Sequence, residues 1–250
     1  MDKPNAVGVE RVDGRRLAAF KYYDFAMAAF VAVILCSNLI GAAKPAAMDF
    51  GGREFVYGAG ILFFPVSYVL GDVLTEVYGY AAARRVVWTG LAATLFASFM
   101  AFVVIRLPHA EGWDGQAAYE FVYGQTPRIV AASIAAFWAG ELSNAYVLAK
   151  LKVASDGKRL WMRTIGSTVV GQGVDSLIFY PLAFLGVWTN EQVVAVLITN
   201  YVLKVVWEAL LTPVTYLVIG RLKRAEGVDV FDRSTDFSPF RLGDATKKNR

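Results

Sequence analysis

Six apolar runs, each long enough to cross a lipid bilayer, dominate this sequence of 250 residues. A bilayer core of about 30 Å needs roughly 20 apolar residues at about 1.5 Å of helix rise per residue. Lipid offers no hydrogen-bond partners, so such runs must form helices that pair their own backbone groups. The candidate spans are Tyr22–Ala43, Tyr57–Val77, Arg85–Ile105, Arg128–Ala149, Thr164–Val187 and Val193–Gly220.

The composition favours lipid over water as the surrounding medium. Only 18% of residues are charged and 56% are hydrophobic, whereas about a quarter of a soluble domain is charged. A net charge of +4 could indicate nucleic acid in a soluble protein. Here the basic residues cluster at particular turns, which favours membrane orientation and no nucleic-acid partner. The predicted fold class is all-α: a polytopic membrane protein with six transmembrane helices.

The loops alternate in charge and thereby predict an orientation. The loop after span three is acidic, whereas the turns after spans two, four and six are basic. Because Lys and Arg collect on the cytoplasmic side, both termini are expected to be cytoplasmic, in the cell inner membrane. Residues 1–20 are expected to form a flexible cytoplasmic arm, 21–224 the transmembrane domain, and 225–250 a disordered cytoplasmic tail. The pair Gly51-Gly52 fits either a short outer hairpin or an ordinary loop.

Four of the predicted helices carry polar residues in their interiors. A charged side chain at the centre of a span costs about 2.5–3.5 kcal/mol, and such residues usually face a bundle interior or a water cavity. Their helical spacing places the members of each set on one face. The sets are Asp72 and Glu76 in span two, Glu141 and Asn144 in span four, Gln172 and Asp175 in span five, and Asn200, Lys204 and Glu208 in span six.

Depth along the helices predicts that these sets meet. Asp175 and Lys204 each lie about 16 Å inside their spans, counted from opposite membrane faces, so they can pair near the midplane. Carboxylates outnumber the lysine, which favours a ligand rich in hydrogen-bond donors. The N–H and NH₂ groups of a guanine-like edge suit one carboxylate. Aromatic residues that could stack on such a base are Phe137, Trp138, Phe179 and Trp207.

Purely structural interpretations remain open for several of these residues. Asp72 and Glu76 could organise a helix end together with Arg84 or Arg85. Other polar residues could form an intrahelical ion pair, as for Lys204 with Glu208, or interhelical hydrogen bonds, as for Asn144 and Gln172. The single histidine, His109, falls in a loop, so no metal site is expected. No cofactor-binding fingerprint is present.

Four segments resemble the queuosine precursor transporter family, also called the vitamin uptake transporter family. They are DVLTEVYGYAAARR, GELSNAYVLAKLK, GQGVDSLIFYPLAF and NYVLKVVWEALLTPVTYLVIGRLKRAEGVDVFD. The resemblance implies an inner-membrane importer of 7-deazaguanine precursors of queuosine, similar in fold to the substrate-binding subunits of energy-coupling-factor transporters. The family's polar motif positions fall on Asp72, Glu76, Arg84, Arg85, Glu141, Asn144, Gln172, Asp175, Asn200, Lys204 and Glu208.

Together these features predict a substrate site and a gating or coupling group. The substrate-binding residues are expected to be Glu141, Asn144, Gln172, Asp175, Asn200, Lys204 and Glu208, with Glu141 or Asp175 accepting the donor edge of the base. The gating or coupling residues are expected to be Asp72, Glu76, Arg84 and Arg85. Alternatives are a substrate-capture subunit that needs a coupling protein and an ATPase, and a membrane enzyme using Asp175 or Glu141. A homo-oligomer and the driving force are left open.

Overall fold

The computed structural model describes residues 20–41, 45–124, 127–187 and 189–240. Within these ranges the chain forms a helical bundle and one hairpin, with a π-helical turn at Ser37–Gly41 and a 3₁₀ turn at Ala59–Leu62. In chain order the elements are α1 (Tyr23–Cys36), β1 (Pro45–Phe50), β2 (Arg53–Gly58), α2 (Phe64–Tyr78), α3 (Tyr80–Ile105), α4 (Gln116–Tyr123), α5 (Pro127–Ala154), α6 (Leu160–Phe184) and α7 (Asn190–Glu226).

Each predicted span overlaps one of the helices α1, α2, α3, α5, α6 and α7, so the helical fold class is confirmed. Among the described residues, three helical stretches are long and apolar enough to cross a membrane by length and composition: Tyr23–Ile40, Tyr80–Ile105 and Asn190–Glu226. Their outward side chains are apolar and exposed, for example Phe25 at 74% and Phe96 at 67%. Apolar surfaces of this extent suit lipid and not water. The protein is therefore a membrane protein.

Helix α2 is shorter than the sequence suggested. The predicted span began at Tyr57, but the helix begins at Phe64 and has 15 residues, about 22 Å of rise. Tyr57 belongs to β2 instead. Pro65 lies in the first turn of α2, where its missing N–H leaves no hydrogen bond unmade, so it starts the helix and does not kink it.

The segment between α1 and α2 forms a two-stranded antiparallel hairpin. Pro45 pairs with Gly58 at its open end, and Phe50 pairs with Arg53 beside the turn. Gly51 and Gly52 have φ of +63° and +80°, which a two-residue hairpin turn requires and glycine adopts without strain. The pair Gly51-Gly52 therefore forms the turn of a short hairpin and not an ordinary loop.

The tail is ordered over much of its described length, contrary to the expectation of disorder for 225–250. Helix α7 ends at Glu226, and the chain then folds back so that Val230, Phe231 and Asp232 are only 2–6% exposed. Asp232 accepts a hydrogen bond from the backbone N–H of Tyr80, the first residue of α3. Because the tail is mostly polar, its composition did not predict that Val230 and Phe231 would be buried. Residues 241–250 and most of the N-terminal arm, 1–19, lie outside the described residues.

Candidate functional site

A close contact between α5 and α6 brings two of the predicted polar sets together. A Cβ on Gly171 would lie 2.6 Å from the Cβ of Asn144, and one on Gly140 would lie 2.9 Å from the Cβ of Asp175. Real Cβ atoms do not approach this closely, so only glycine at both positions permits the contact. Small residues let helix backbones approach in this way. The polar faces of α5 and α6 therefore meet in the bundle interior.

Three polar pairs tie the interior helices together. The Nζ of Lys204 on α7 lies 2.6 Å from Oδ2 of Asp175 on α6, so the pair expected from depth is present. The amide of Asn144 on α5 donates to Oδ1 of Asp72 on α2 at 3.0 Å. Tyr68 on α2 donates its hydroxyl to Oε1 of Gln172 on α6 at 3.0 Å. We call Tyr68, Asp72, Glu141, Asn144, Gln172, Asp175, Lys204 and Glu208 the interior cluster.

Two carboxyl groups of the interior cluster face each other without a donor between them. Asp72 and Glu208 are both 0% exposed and interact directly through their side chains. Oδ2 of Asp72 and both carboxyl oxygens of Glu208 accept no hydrogen bond from any described residue. Buried polar atoms are nearly always paired, so this arrangement requires a specific explanation.

Glu141 completes the acidic surplus of the cluster. Its carboxyl group is 9% exposed and interacts electrostatically with Asp175, Lys204 and Glu208. Lys204 is already bonded to Asp175. The cluster thus holds the carboxyl groups of Asp72, Glu141, Asp175 and Glu208 against one ammonium group, and its chemistry favours cations and hydrogen-bond donors.

The interior cluster borders a small enclosed cavity in this conformation. Gly71, Glu141 and Asn144 line it together with apolar residues that include Phe30 from α1. Its volume is about 10 Å³, which corresponds to roughly one water molecule. A planar base does not fit in this cavity, and we refer to this conformation as closed. A ligand of that size requires the helices or their side chains to move apart.

Other predicted site residues lie outside the interior cluster or its cavity. Asn200 donates to the carbonyl oxygen of Val196 in its own helix at 3.0 Å. Trp207 is 41% exposed on the outer surface of α7, so it does not line the cavity. Phe137 packs against Phe30 beside the cavity, with ring centroids 6.3 Å apart.

Glu76 belongs to a second, separate ionic group. Its carboxyl is 0% exposed and accepts from Arg163 of α6 at 2.7 Å and from Lys223 of α7 at 2.8 Å, with Lys152 of α5 at 3.6 Å. Asp229 of the tail also contacts both lysines, at 2.6 and 2.7 Å. We call Glu76, Lys152, Arg163, Lys223 and Asp229 the basal cluster. It joins α2, α5, α6, α7 and the tail at one end of the bundle.

Arg84 and Arg85 do not enter the interior cluster. Arg84 is 2% exposed and donates to the carbonyl oxygens of Asp236 and Ser238 at 2.8 and 2.6 Å. Arg85, the next residue on α3, is exposed. Arg84 therefore holds the tail against α3.

The sequence reading missed two parts of this arrangement. Tyr68 precedes Asp72 by four residues, so the spacing already placed its hydroxyl on the polar face of α2. In the sequence, Lys152, Arg163 and Lys223 indicate only the orientation of the chain in the membrane. The need of the acid Glu76 for basic partners was the available signal. Which basic residues pair with it depends on how the helices pack.

Comparison with known proteins identifies the family of the chain. A family profile described as "Putative vitamin uptake transporter" matches residues 58–218, which span α2 to most of α7. The chain belongs to this family. The vitamin uptake transporter match covers every residue of the interior cluster and none of the tail.

Curated relatives carry a more specific name. The "Probable queuosine precursor transporter" of Bacillus subtilis is 32% identical over 158 residues, covering 63% of this chain and 67% of the relative. The "Queuosine precursor transporter" of Escherichia coli is 26% identical over 125 residues, and a Haemophilus influenzae relative is 26% identical over 126. The chain spans about half the length of these two. All three are named as transporters and not as enzymes. No solved structure matches the chain.

Proposed function

We propose that this protein imports 7-deazaguanine-type bases, the queuosine precursors, through the interior cluster. The observation that carries the proposal is the surplus of buried carboxyl groups contributed by four helices, α2, α5, α6 and α7. A guanine-like edge offers an N–H and an adjacent NH₂, which one carboxylate accepts in bidentate fashion. The names of the relatives supply the substrate class, and the chemistry of the cluster suits it.

Glu141 is the carboxyl group best placed to accept the base. It lines the cavity, and its Oε2 would lie 3.1 Å from a Cβ on Gly71, so only glycine leaves that side of the acid open. Asp175 is held by Lys204 and Asp72 by Asn144. The base therefore first meets Glu141, and Asn144, Gln172 and Lys204 exchange their present partners for ligand atoms as the cavity widens. Asn200 needs a rotamer change to take part.

We propose that the protein crosses the inner membrane six times and that both of its termini lie in the cytoplasm. The basic residues of the basal cluster and the tail lie at one end of the bundle, which agrees with a cytoplasmic end. Helix α2 is short, but it is lined by other helices, and such elements are tolerated inside a bundle. The proposed similarity to energy-coupling-factor substrate-binding subunits concerns this six-helix arrangement.

The basal cluster is proposed to close the cytoplasmic end of the path. Glu76 and the tail bridge α2, α5, α6 and α7 there, and Arg84 fastens the tail to α3. Release of the base to the cytoplasm requires these contacts to loosen. In this role Glu76 and Arg84 act as gating residues, whereas Asp72 acts inside the interior cluster. Arg85, exposed beside Arg84, adds positive charge at the same end.

Binding to purified protein tests the site. We expect Glu141→Gln and Asp175→Asn each to weaken binding of a 7-deazaguanine at least tenfold by calorimetry, because each removes a carboxylate from the cluster. Asp114→Asn is the matched control, since Asp114 is an exposed acid, and its affinity should equal that of the wild type. Unchanged affinity in both interior variants would exclude these residues from the site.

Uptake into liposomes that contain only this protein tests whether it works alone. Labelled 7-deazaguanine carrying either an amine or a nitrile should enter, with unlabelled compound competing and adenine not competing. Uptake that appears only after a coupling protein and an ATPase are added would assign the chain as a capture subunit. Chemical change of the base without relocation would assign it as an enzyme.

A further inference from the structure

Asp72 and Glu208 form the least satisfied polar group in the described part of the chain. Both side chains are fully buried, on α2 and α7 respectively, and they interact with each other. Three of their four carboxyl oxygens accept no hydrogen bond from a described residue. Oδ1 of Asn144, whose amide holds the fourth oxygen, is also buried and without a partner.

No cation among the described residues donates a hydrogen bond to Oδ2 of Asp72 or to either carboxyl oxygen of Glu208. From α2, Glu76 adds negative charge, and Tyr68 is bonded to Gln172. From α5, Glu141 adds another acid. From α6 and α7, Asp175 and Lys204 neutralise each other. Helices α1 and α3 present Phe30, Val86 and Val87 to the adjoining cavity.

Two ionised carboxylates in such surroundings repel each other strongly, because both side chains are shielded from bulk solvent. One proton relieves the repulsion. The protonated carboxyl group becomes a donor to its neighbour, so a single proton both removes one charge and supplies the missing hydrogen bond. Carboxyl pairs in other proteins share a proton for this reason.

We propose that Asp72 and Glu208 hold one proton between them in this closed conformation, and that this proton travels with the base. The inference rests on the proposed transport function and deepens it by naming the coupling ion. In the closed state the proton lies between Oδ2 of Asp72 and the carboxyl group of Glu208. When the cytoplasmic end opens, water reaches the pair, both acids ionise, and the proton leaves to the cytoplasm together with the base.

Infrared spectroscopy of the purified protein tests the shared proton without any transport. The wild type at neutral pH should show a carboxylic acid C=O band that shifts in D₂O. Glu208→Gln and Asp72→Asn should each lose the same band, because an amide at either position donates to the remaining carboxylate. Glu141→Gln and the exposed control Asp114→Asn should retain it. The proposal is overturned if neither pair variant loses a carboxylic acid band that the wild type shows and Glu141→Gln retains.

Uptake into liposomes tests whether the proton moves. An inwardly directed proton gradient should accelerate uptake by the wild type several-fold, and an uncoupler should abolish the acceleration. Glu208→Gln should transport at a rate that the gradient does not change. Uptake that responds to Na⁺ and not to protons, or to neither, overturns the coupling while leaving the transport function standing. An absence of base uptake by the wild type overturns the transport function. The infrared measurement then still shows whether Asp72 and Glu208 share a proton.

Discussion

The interior cluster and the basal cluster contain similar residues but differ in charge balance. In the basal cluster, Glu76 and Asp229 face three cations, and the buried carboxyl of Glu76 has partners from α6 and α7. In the interior cluster, four carboxyl groups share one lysine, and three of the four oxygens of the pair formed by Asp72 and Glu208 accept no hydrogen bond from a described residue. Oε2 of Glu76 and Nε of Arg163 also have no partner among the described residues, but the opposite charges of the basal cluster are in contact. A buried group with paired opposite charges stabilises one arrangement of helices. We propose that the interior cluster, with its surplus of acids, is completed by a ligand or a proton.

The largest expected effect is loss of stability when the basal cluster loses its central acid. Glu76→Gln removes the carboxylate partner of the buried Arg163 guanidinium and leaves Asp229 as the one acid of the cluster facing Lys152 and Lys223, which should cost about 3–5 kcal/mol. Thermal unfolding in detergent measures the loss. Asp156→Asn is the control, because the pair of Asp156 with Arg233 is 56% and 61% exposed and should change stability by less than about 1 kcal/mol. Equal losses in the two variants would mean that the basal cluster does not stabilise the bundle.

A smaller effect is expected where α5 and α6 touch. Gly171→Ala forces a methyl group to 2.6 Å from Asn144 and should cost about 1–3 kcal/mol. The matched substitution Gly220→Ala meets nothing within 4 Å in α7 and should be neutral or stabilising by up to about 1 kcal/mol. The same unfolding assay compares them. Because Gly171 also sets the spacing of the interior cluster, its variant should lose affinity for the base, whereas the Gly220 variant should not.

The basal cluster should also weaken at acid pH. Burial raises the pKa of the Asp229 carboxyl, but the ammonium groups of Lys152 and Lys223 outweigh this and lower that pKa below its ordinary value. A lowered pKa means that stability is fully present above about pH 3.9, the unfolded value, and is lost as pH falls through the folded pKa. The difference in unfolding temperature between wild type and Asp229→Asn should therefore shrink as pH falls from about 5 to 3. A difference that is constant across this range would contradict the assignment.

The smallest effect on stability is expected in the interior cluster itself. Glu208→Gln removes one of two opposed acids and provides an amide that can donate to Asp72, so unfolding should change by less than about 1 kcal/mol. This contrasts with Glu76→Gln, an identical chemical change at an equally buried glutamate. A loss as large as that of the Glu76 variant would show that Glu208 is a structural residue, and the distinction between the two clusters would fail.

Much of the fold could be predicted from the sequence, because apolar runs of about 20 residues have few alternatives in lipid. The depth of Asp175 and Lys204 along their predicted spans also predicted their contact, which the structure shows at 2.6 Å. The depth of Glu76 along its span could not identify its ion-pair partners, because these depend on which faces of α2, α6 and α7 pack together. For the same reason the sequence did not predict that the tail is ordered. Its order comes from contacts made by residues such as Phe231 and not from local composition.

The closed state of the interior was likewise beyond the sequence. Residue types indicate what a cavity would bind, but its volume depends on how closely helices pack. Here Gly140 and Gly171 bring α5 and α6 together, and the cavity beside Glu141 has a volume of about 10 Å³. The functional roles of Glu141, Asp175 and the other interior residues stay predictions that the binding and uptake measurements address.

The folded-back tail bears on how the protein is made. Lys152 lies in α5, yet two of its hydrogen-bond partners, Asp229 and the carbonyl oxygen of Val230, are synthesised almost eighty residues later. Helices α2, α5 and α6 are thus synthesised before their shared ionic contacts can be completed. This end of the bundle lacks its contacts with Asp229 and Val230 until the segment after α7 has been synthesised. The formation of these contacts is therefore one of the last steps in folding.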